Sequence, residues 1–383
     1  MGAVKLVSFL LSSFILAYLT PWAQYGGGPG HTFDLPICYF APKSNEPKLE
    51  WQFKADYIVS AAFPEGALIV NSRLLMISIS SKNWAYLVTC VDSETGDFLW
   101  RVDYPKIDKI TSELCYADGK IFYVINEQKL EILDADSGGL IQEEFLPSRV
   151  FGCTSMTVAD GRLYISTYDG ISCYSISEQK FIWSYYDGRN CRTISSVSSG
   201  VCVYMTLYKI IALRTKDGSL LWDRSLDVDE EKEIDEGLPI LPWYVTIQGD
   251  KAYYIDSGPV LRCVKLDNGA LLDPKIEGIE NVEYCITSDG YIYVTTITGS
   301  RTTCYSPDGK VSWFKEKPSF NGKLVVCGDW LYCCDINGAV SKINRFTGEE
   351  VYRMNPPKPA DKLRIGFGKL FIFSGDFIFC YGD

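Results

Sequence analysis

The chain has almost no histidine. His31 is the only one in 383 residues, so a Ser-His-Asp triad, a Cys-His couple and any multi-histidine metal site are excluded. No Cys-x-x-Cys-His occurs, which excludes an attached c-type haem, and there is no Asn-x-Ser/Thr sequon. Basic residues are in deficit: 37 Lys and Arg against 48 Asp and Glu leave a formal charge of −11. A nucleic-acid partner needs a basic face that releases counterions, and this balance argues against one. Long apolar runs are missing except at the start. There, "MGAVKLVSFLLSSFILAYLT" carries one Lys followed by an apolar run from Leu6 to Leu19. That run is short for a bilayer span and suits the core of a signal peptide, although no good Ala-x-Ala cleavage frame follows it. Residues 1–20 are therefore expected to be a signal peptide or an uncleaved anchor. The body is expected to be extracytoplasmic, either secreted or held to a membrane by that segment alone.

What remains is rich in strand formers. Apolar residues make up 47% and charged residues 22%, enough to bury a core. Val, Ile, Tyr, Phe and Thr are abundant, and Gly-centred turns punctuate the chain about every ten residues, which is an all-β pattern. One phrase keeps returning. "CVDSETGDFLW" (90–100), "CYSISEQKFIW" (173–183) and "ALRTKDGSLLW" (212–222) share a rhythm. Weaker copies are "ILDADSGGLIQ" (132–142), "CVKLDNGALLD" (263–273), "TCYSPDGKVSW" (303–313) and "KINRFTGEEVY" (342–352). Recurrence at a fixed spacing marks a repeat architecture.

A second landmark precedes each phrase, a tight turn followed by an aromatic or aliphatic strand, as in "ADGKIFYV" (117–124) and "SDGYIYVT" (288–295). The second turn residues are Ser72, Gly119, Gly161, Gly200, Asp250, Gly290, Asp329 and Gly368, at intervals of 47, 42, 39, 50, 40, 39 and 39 residues. Eight units with a period near 42 are expected. In the second unit, strands are predicted at about 113–117, 120–126, 129–135 and 139–145. Four short strands per 40-residue unit describe a propeller blade. A solenoid of sheets is the rival, and the two ends of the sequence oppose it. The last unit, "LRIGFGKLFIFSGDFIFCYGD", has three strands, while "KLEWQFKA" (48–55) is an orphan strand before the first full unit. The expected fold is thus all-β, an eight-bladed β-propeller over 49–383, with an N-terminal strand completing the last blade and closing the ring. Residues 21–48 form a leader.

In this arrangement the phrase is the turn between third and fourth strands, and its Trp sits on the outer strand, packing between neighbouring blades. The expected set is Trp51, Trp100, Trp183, Trp222 and Trp313, with Tyr352 as a substitute; Gln142 and Asp273 break the pattern. Ala-x-Asp-x-x-Thr-Gly-x-x-x-Trp around a ring resembles the tryptophan-docking motif of pyrroloquinoline-quinone-like propellers, and the best copy is Cys90, Asp92, Thr95, Gly96 and Trp100. "PWAQYGGGPGHT" (21–32) is similar to the leader that often precedes such propellers. The resemblance implies one of two functions. Some members are quinone- and Ca²⁺-dependent alcohol or sugar dehydrogenases. Others, such as the propeller subunit of the bacterial outer-membrane barrel-assembly machine, are scaffolds without cofactor.

Several dehydrogenases of the family hold a disulfide between adjacent cysteines against the quinone, and Cys333-Cys334 is the one adjacent pair here. It falls within a strand, where neighbouring side chains point to opposite faces, and late in the ring rather than in an early loop. It is a weak cofactor candidate. The chain is also short for a dehydrogenase. Fourteen cysteines in an exported chain predict disulfides, whereas Cys90, Cys173 and Cys263, each opening a copy of the phrase where Ala212 stands in another, read as packing residues. Cys153 and Cys191, on neighbouring units, are the candidate bridge. "DADSGG" (134–139) has the look of a Ca²⁺ loop but coincides with the repeat turn, so it reads as structure. The insertion "LDVDEEKEIDEGLPILPW" (226–243) gathers Asp227, Asp229, Glu230, Glu231, Glu233, Asp235 and Glu236. A solvated loop is the ordinary reading of such a run, and a cation or basic-partner contact is the sharper one. The expectation for function is a non-catalytic extracytoplasmic scaffold binding a protein or a glycan through its loop face, with no cofactor. The alternative is the quinone- and calcium-dependent dehydrogenase. A third reading is subunit packing in a surface assembly, which an apolar outer patch would support.

Overall fold

Asp118 and Gly119 both take positive φ, 50° and 73°, the backbone of a two-residue type I′ hairpin whose twist matches its flanking strands. The same turn recurs at 71–72, 160–161, 199–200 and 367–368. The computed structural model of the chain describes residues 34–35, 41–55, 57–58, 67–80, 83–105, 107–150, 156–167, 169–187, 195–206, 208–226, 245–256, 260–277, 282–286, 289–296, 301–316, 324–335 and 337–383. Within them the hairpins build eight four-stranded antiparallel blades. Blade 1 comprises Ala67–Val70, Arg73–Ser80, Tyr86–Asp92 and Phe98–Asp103, and blade 2 comprises Cys115–Ala117, Lys120–Ile125, Lys129–Asp134 and Leu140–Phe145. Blades 3 to 7 begin at Met156–Ala159, Ser196–Ser198, Thr246–Gln248, Val282–Ile286 and Val325–Cys327. They end on outer strands Lys180–Tyr186, Leu220–Ser225, Leu271–Ile276, Val311–Glu316 and Glu350–Met354. Blade 8 takes Lys362–Gly366, Lys369–Ser374 and Phe377–Gly382 from one end of the sequence and Lys48–Lys54 from the other, so the ring closes in an eight-bladed propeller as its two ends predict.

Second and third strands are buried on both faces: all but the first residue of Lys120–Ile125 and every residue of Gly170–Ser175 are buried. Outer strands alternate, because only their inward face is covered. Turns between first and second and between third and fourth strands lie at one end of each blade. Turns between second and third strands, with the linkers from blade to blade, lie at the other. The ring therefore has a turn face and a linker face.

Indoles tie the blades together along the turn face. A Cβ placed on Gly96, Gly138, Gly218, Gly269 or Gly348 would meet the ring of Trp51, Trp100, Trp183, Trp222 or Trp313 at 2.6–2.9 Å. Each glycine belongs to the third-to-fourth-strand turn of the following blade. Each indole Nε1–H also donates to the carbonyl three residues before its glycine: Ser93 at 3.3 Å, Ala135 at 3.2 Å, Thr215 at 3.0 Å, Leu266 at 2.8 Å and Arg345 at 2.8 Å. Across each sheet the same Trp sits opposite a small residue: Cys90, Cys173, Ala212, Cys304 and Cys380 pair with Trp100, Trp183, Trp222, Trp313 and Trp51. In blade 6 the turn is one residue shorter than the phrase alignment implies, so Cys304, not Thr303, faces the indole.

Two joints without an indole have compensations. Gln142 stands in the Trp position of blade 2, and its Nε2 donates to the carbonyl of Gln179 at 3.3 Å. Gln179 occupies the glycine position of blade 3, with φ at 53°; no indole lies on it, so a side chain is tolerated there. In blade 5 the outer strand carries Asp273 and cis Pro274, and the Pro274 ring, not a Trp, closes over Gly309 of blade 6.

Candidate functional site

Two groups stand out among the exposed apolar side chains, and only one of them repeats; Leu99, Ile141, Phe314 and Phe346 are also exposed and belong to neither. Leu49, Phe98, Leu140, Leu220, Leu271 and Val311 are all exposed, and each stands two residues before the Trp position of its blade, at the turn-face end of the outer strand. Because this row recurs around the ring, it belongs to the repeat. The second group lies on the linker face and is confined to blades 1–3 among the described residues. Trp84 is 64% exposed, Ile107 82%, Phe145 75% and Tyr186 52%. Side chains this large are seldom left out on one face of a monomer without a partner.

Local structure holds these residues where they are. Trp84 ends the loop between the second and third strands of blade 1, with φ at 59° and its N–H donating to the Ser80 carbonyl at 2.9 Å. A bulky residue with positive φ is strained, and strain of this kind gathers at functional sites. Ile107 rides on the linker from blade 1 to blade 2. That linker is clamped to the Asn126-Glu127 turn of blade 2: the Asn126 amide donates to Asp108 Oδ1 at 2.9 Å and accepts from the Lys109 N–H at 2.9 Å. On the other side of the same turn, the N–H groups of Leu146 and Val150 donate to the carbonyls of Gln128 and Glu127 at 2.8 and 2.9 Å. Phe145 precedes that strap, opposite Lys129. Tyr186 closes the outer strand of blade 3, and the Ser148 hydroxyl bonds Asp169 at 2.7 Å beside it.

Beneath the Ile107 linker lies a buried carboxylate. Glu131 accepts from the Tyr104 hydroxyl at 2.7 Å and the Tyr123 hydroxyl at 3.1 Å, and Lys129 Nζ reaches it at 2.9 Å. Burial raises both phenols above their ordinary range and Glu131 adds to it, while the mutual hydrogen bond raises Tyr123 and opposes the shift at Tyr104. Burial works against the Lys129 ammonium, but the hydrogen bonds it donates to Glu143 and Glu131 outweigh it, and its pKa lies above the usual value. The cluster fixes Tyr104, and through it the start of the linker. Sequence reasoning missed it, because Tyr104 and Glu131 sit 27 residues apart with no shared motif.

The residues singled out from the sequence take their places as follows. Trp51, Trp100, Trp183, Trp222 and Trp313 lie on glycines of the next blade, whereas Tyr352 has no such glycine; burial first and then the neighbouring Tyr381 raise its hydroxyl. Ten cysteines, Cys90, Cys115, Cys173, Cys202, Cys263, Cys304, Cys327, Cys333, Cys334 and Cys380, are buried thiols, and no disulfide joins them. Cys153 and Cys191 lie outside the described residues, as do His31, the segment 1–20 and the acidic run Asp227, Asp229, Glu230, Glu231, Glu233, Asp235 and Glu236.

Cys333 and Cys334 are both buried in the strand Trp330–Cys334. They have different neighbours: Lys315 of blade 6 acts on Cys333, and Asp361 of the linker to blade 8 acts on Cys334. Burial pushes both thiols up. The quinone site that the family resemblance implies has carboxylate and amide oxygens for Ca²⁺, a catalytic Asp and an aromatic platform, and in several dehydrogenases a disulfide between adjacent cysteines as well. The described residues do not fit: no three of their His, Cys, Asp or Glu side chains form a metal-holding group, and the cysteine pair is packed inside a sheet.

Known structures share the ring. BamB from Moraxella catarrhalis is 15% identical over 88% of this chain and 100% of its own, with a TM-score of 0.62. A europium-containing methanol dehydrogenase is 13% identical, covering 94% of this chain and 91% of its own, with a TM-score of 0.68. The quinohemoprotein alcohol dehydrogenase from Comamonas testosteroni is 11% identical over 95% of this chain and 81% of its own, with a TM-score of 0.70. At these identities the likeness is one of fold, and it spans dehydrogenases and BamB alike. No curated protein sequence matches the chain significantly. A family model does: that of the outer membrane protein assembly factor BamB matches residues 85–315, and the chain belongs to this family of PQQ-like propellers.

Proposed function

We propose that this chain is a non-catalytic extracytoplasmic propeller that binds another protein through the linker face of blades 1–3. Residues 1–20 direct export or anchor the chain, 21–48 form a leader, and 49–383 form the binding ring. The observation that carries the reading is the gathering, among the described residues, of Trp84, Ile107, Phe145 and Tyr186 on the linker face of blades 1–3, against an apolar row on the other face that merely follows the repeat. Membership of a family described by an outer-membrane assembly factor supports both the scaffold role and the compartment. The border carboxylates Asp103 and Glu143 are paired with Arg101 and Lys129, so the rim is charged but balanced. A partner surface with an apolar centre and a polar rim complements it. A glycan stacked on Trp84 would use one aromatic and leave Ile107 and Phe145 bare, so protein is the favoured class.

Site-specific photo-crosslinking on intact cells tests this. Probes at Trp84, Ile107 and Phe145 should give one shared protein adduct, and probes at Phe98 and Leu220 on the turn face should not. The double variant W84A/I107S should abolish the adduct formed from Phe145 without changing the circular dichroism. Adducts of equal yield on both faces, or none at all, would sink the proposal. Adding pyrroloquinoline quinone and Ca²⁺ should leave the quinone absorbance unshifted; a saturable shift with alcohol turnover would instead favour the dehydrogenase.

A further inference from the structure

Seven of the eight joints on the turn face rest on a continuous third-to-fourth-strand turn. The joint between blades 7 and 8 does not, because the fourth strand of blade 8 comes from the other end of the sequence. Here the turn is assembled from two separate pieces. The Asp383 carboxylate accepts the N–H of Ser44 at 2.7 Å and of Lys43 at 3.2 Å. Asp92 does the same within its own turn, taking the N–H groups of Glu94 and Thr95 at 2.8 and 2.9 Å. Asp383 thus makes through space the bonds that a covalent turn makes within itself.

The seat of the missing indole is filled by a lysine. Lys342 stands at the position that Cys90, Cys173 and Ala212 hold in other blades, and it is buried. Its ammonium lies 4.7 Å from the Trp330 ring centre and reaches the Ser44 carbonyl at 3.5 Å and Asn45 Oδ1 at 3.3 Å. The contact with a turn carbonyl is the one an indole N–H makes at five other joints. Burial lowers the pKa of Lys342, and the Asp383 charge opposes that shift. Upstream, Asp34–Leu35 pairs in parallel with Val326–Cys327 on the inner edge of blade 7. The chain is therefore fastened to blade 7 before it enters blade 8. On its far side the donated strand is held conventionally: Trp51 lies on Gly96 of blade 1, and Lys369 bridges Glu50 and Glu94.

We infer that the joint between blades 7 and 8 is a charge-held latch, formed by Lys342 and Asp383 around residues 43–45, and that the ring opens there first. Opening releases Lys48–Lys54 from Phe377–Gly382 and leaves the strand docked on blade 1 through Trp51. The other joints close over an unbroken third-to-fourth-strand turn, five of them under an indole with a neutral hydrogen bond, and stay shut.

Hydrogen–deuterium exchange of the full chain reads this directly, comparing wild type with K342M, D383N and W222A. K342M and D383N should each speed exchange within 48–54 and 377–382 by about tenfold, the factor for losing one charged hydrogen bond. Blades 3–5 should be unchanged. W222A should do the reverse, speeding exchange in blades 4 and 5 alone. Unchanged protection of 48–54 in both latch variants would overturn the inference. So would wild-type exchange at 48–54 slower than at the joint between blades 4 and 5. D383N alters an exposed side chain, so the test stands if K342M does not fold.

Discussion

Removing the Trp222 indole and filling the space it covers should be strongly non-additive. Trp222 is 8% exposed, so truncation to Ala returns about 200 Å² of apolar surface to water, about 5 kcal/mol gross at about 25 cal/mol per Å². The bond to the Leu266 carbonyl adds about 1 kcal/mol. Partial collapse of the joint brings the expected loss to about 3–5 kcal/mol. G269A attacks the same contact from the other side. Its Cβ would stand 2.8 Å from Cδ2 and Cε3 of the indole, on a backbone with φ at +69°. The left-handed backbone costs an alanine about 1–2 kcal/mol and the overlap about 1–3 kcal/mol more. In the W222A background the overlap vanishes and only the backbone cost remains. The cycle should therefore close with a coupling of about 1–3 kcal/mol, measured by urea unfolding followed by far-ultraviolet circular dichroism. G119A is the control: φ is +73° with nothing within 4 Å of the added Cβ, so it should lose only the backbone cost. Additivity within about 0.5 kcal/mol, or equal losses from G119A and G269A, would refute the docking account.

Other consequences can be measured on the same material. Installing an indole where blade 2 lacks one, with Q142W and Q179G together, should raise stability by about 1 kcal/mol or more, while Q142W alone should not, because Gln179 holds the glycine's place; the urea midpoint decides. Burial pushes the thiols of Cys90, Cys173 and Cys304 up to about 12 and of Cys263 to about 11, from an ordinary 9.0. A raised folded pKa favours the neutral form, so this stabilisation is complete below pH 9.0 and is lost as pH climbs to about 12. The melting temperature should hold to about pH 9 and then fall, and thiol reagents should label these cysteines only on unfolding; a flat profile to pH 11 or native labelling would contradict the burial. E131A should lose about 1–2 kcal/mol, because one of the two hydrogen-bonded phenols is left without an acceptor while Lys129 keeps Glu143. It should also weaken crosslinking from Ile107 more than from Trp84, since only the former depends on Tyr104.

Sequence alone determined the repeat, because each blade is written by neighbours in the chain. Turn dipeptides such as Asp118-Gly119 set hairpin geometry locally, and the strands expected at about 113–117, 120–126, 129–135 and 139–145 are Cys115–Ala117, Lys120–Ile125, Lys129–Asp134 and Leu140–Phe145. Even the closing strand was legible: a unit with three strands at one end and an orphan strand at the other can satisfy their edges only by pairing. Tertiary structure alone decided what meets what. The indoles reach carbonyls 32 to 44 residues away, and the exchange of Trp for Gln142 with Gln179, or for Pro274 on Gly309, makes sense only when two blades are side by side. The same holds for the candidate site. Phe98 and Phe145 are both exposed aromatics on outer strands, alike in any local pattern, yet one follows the repeat and the other flanks a turn clamped between two linkers. Lys342 read as one weak copy among seven. Its role at the split turn arises because exposure, charge pairing and strain depend on which distant segment covers a side chain, and no local pattern carries that information.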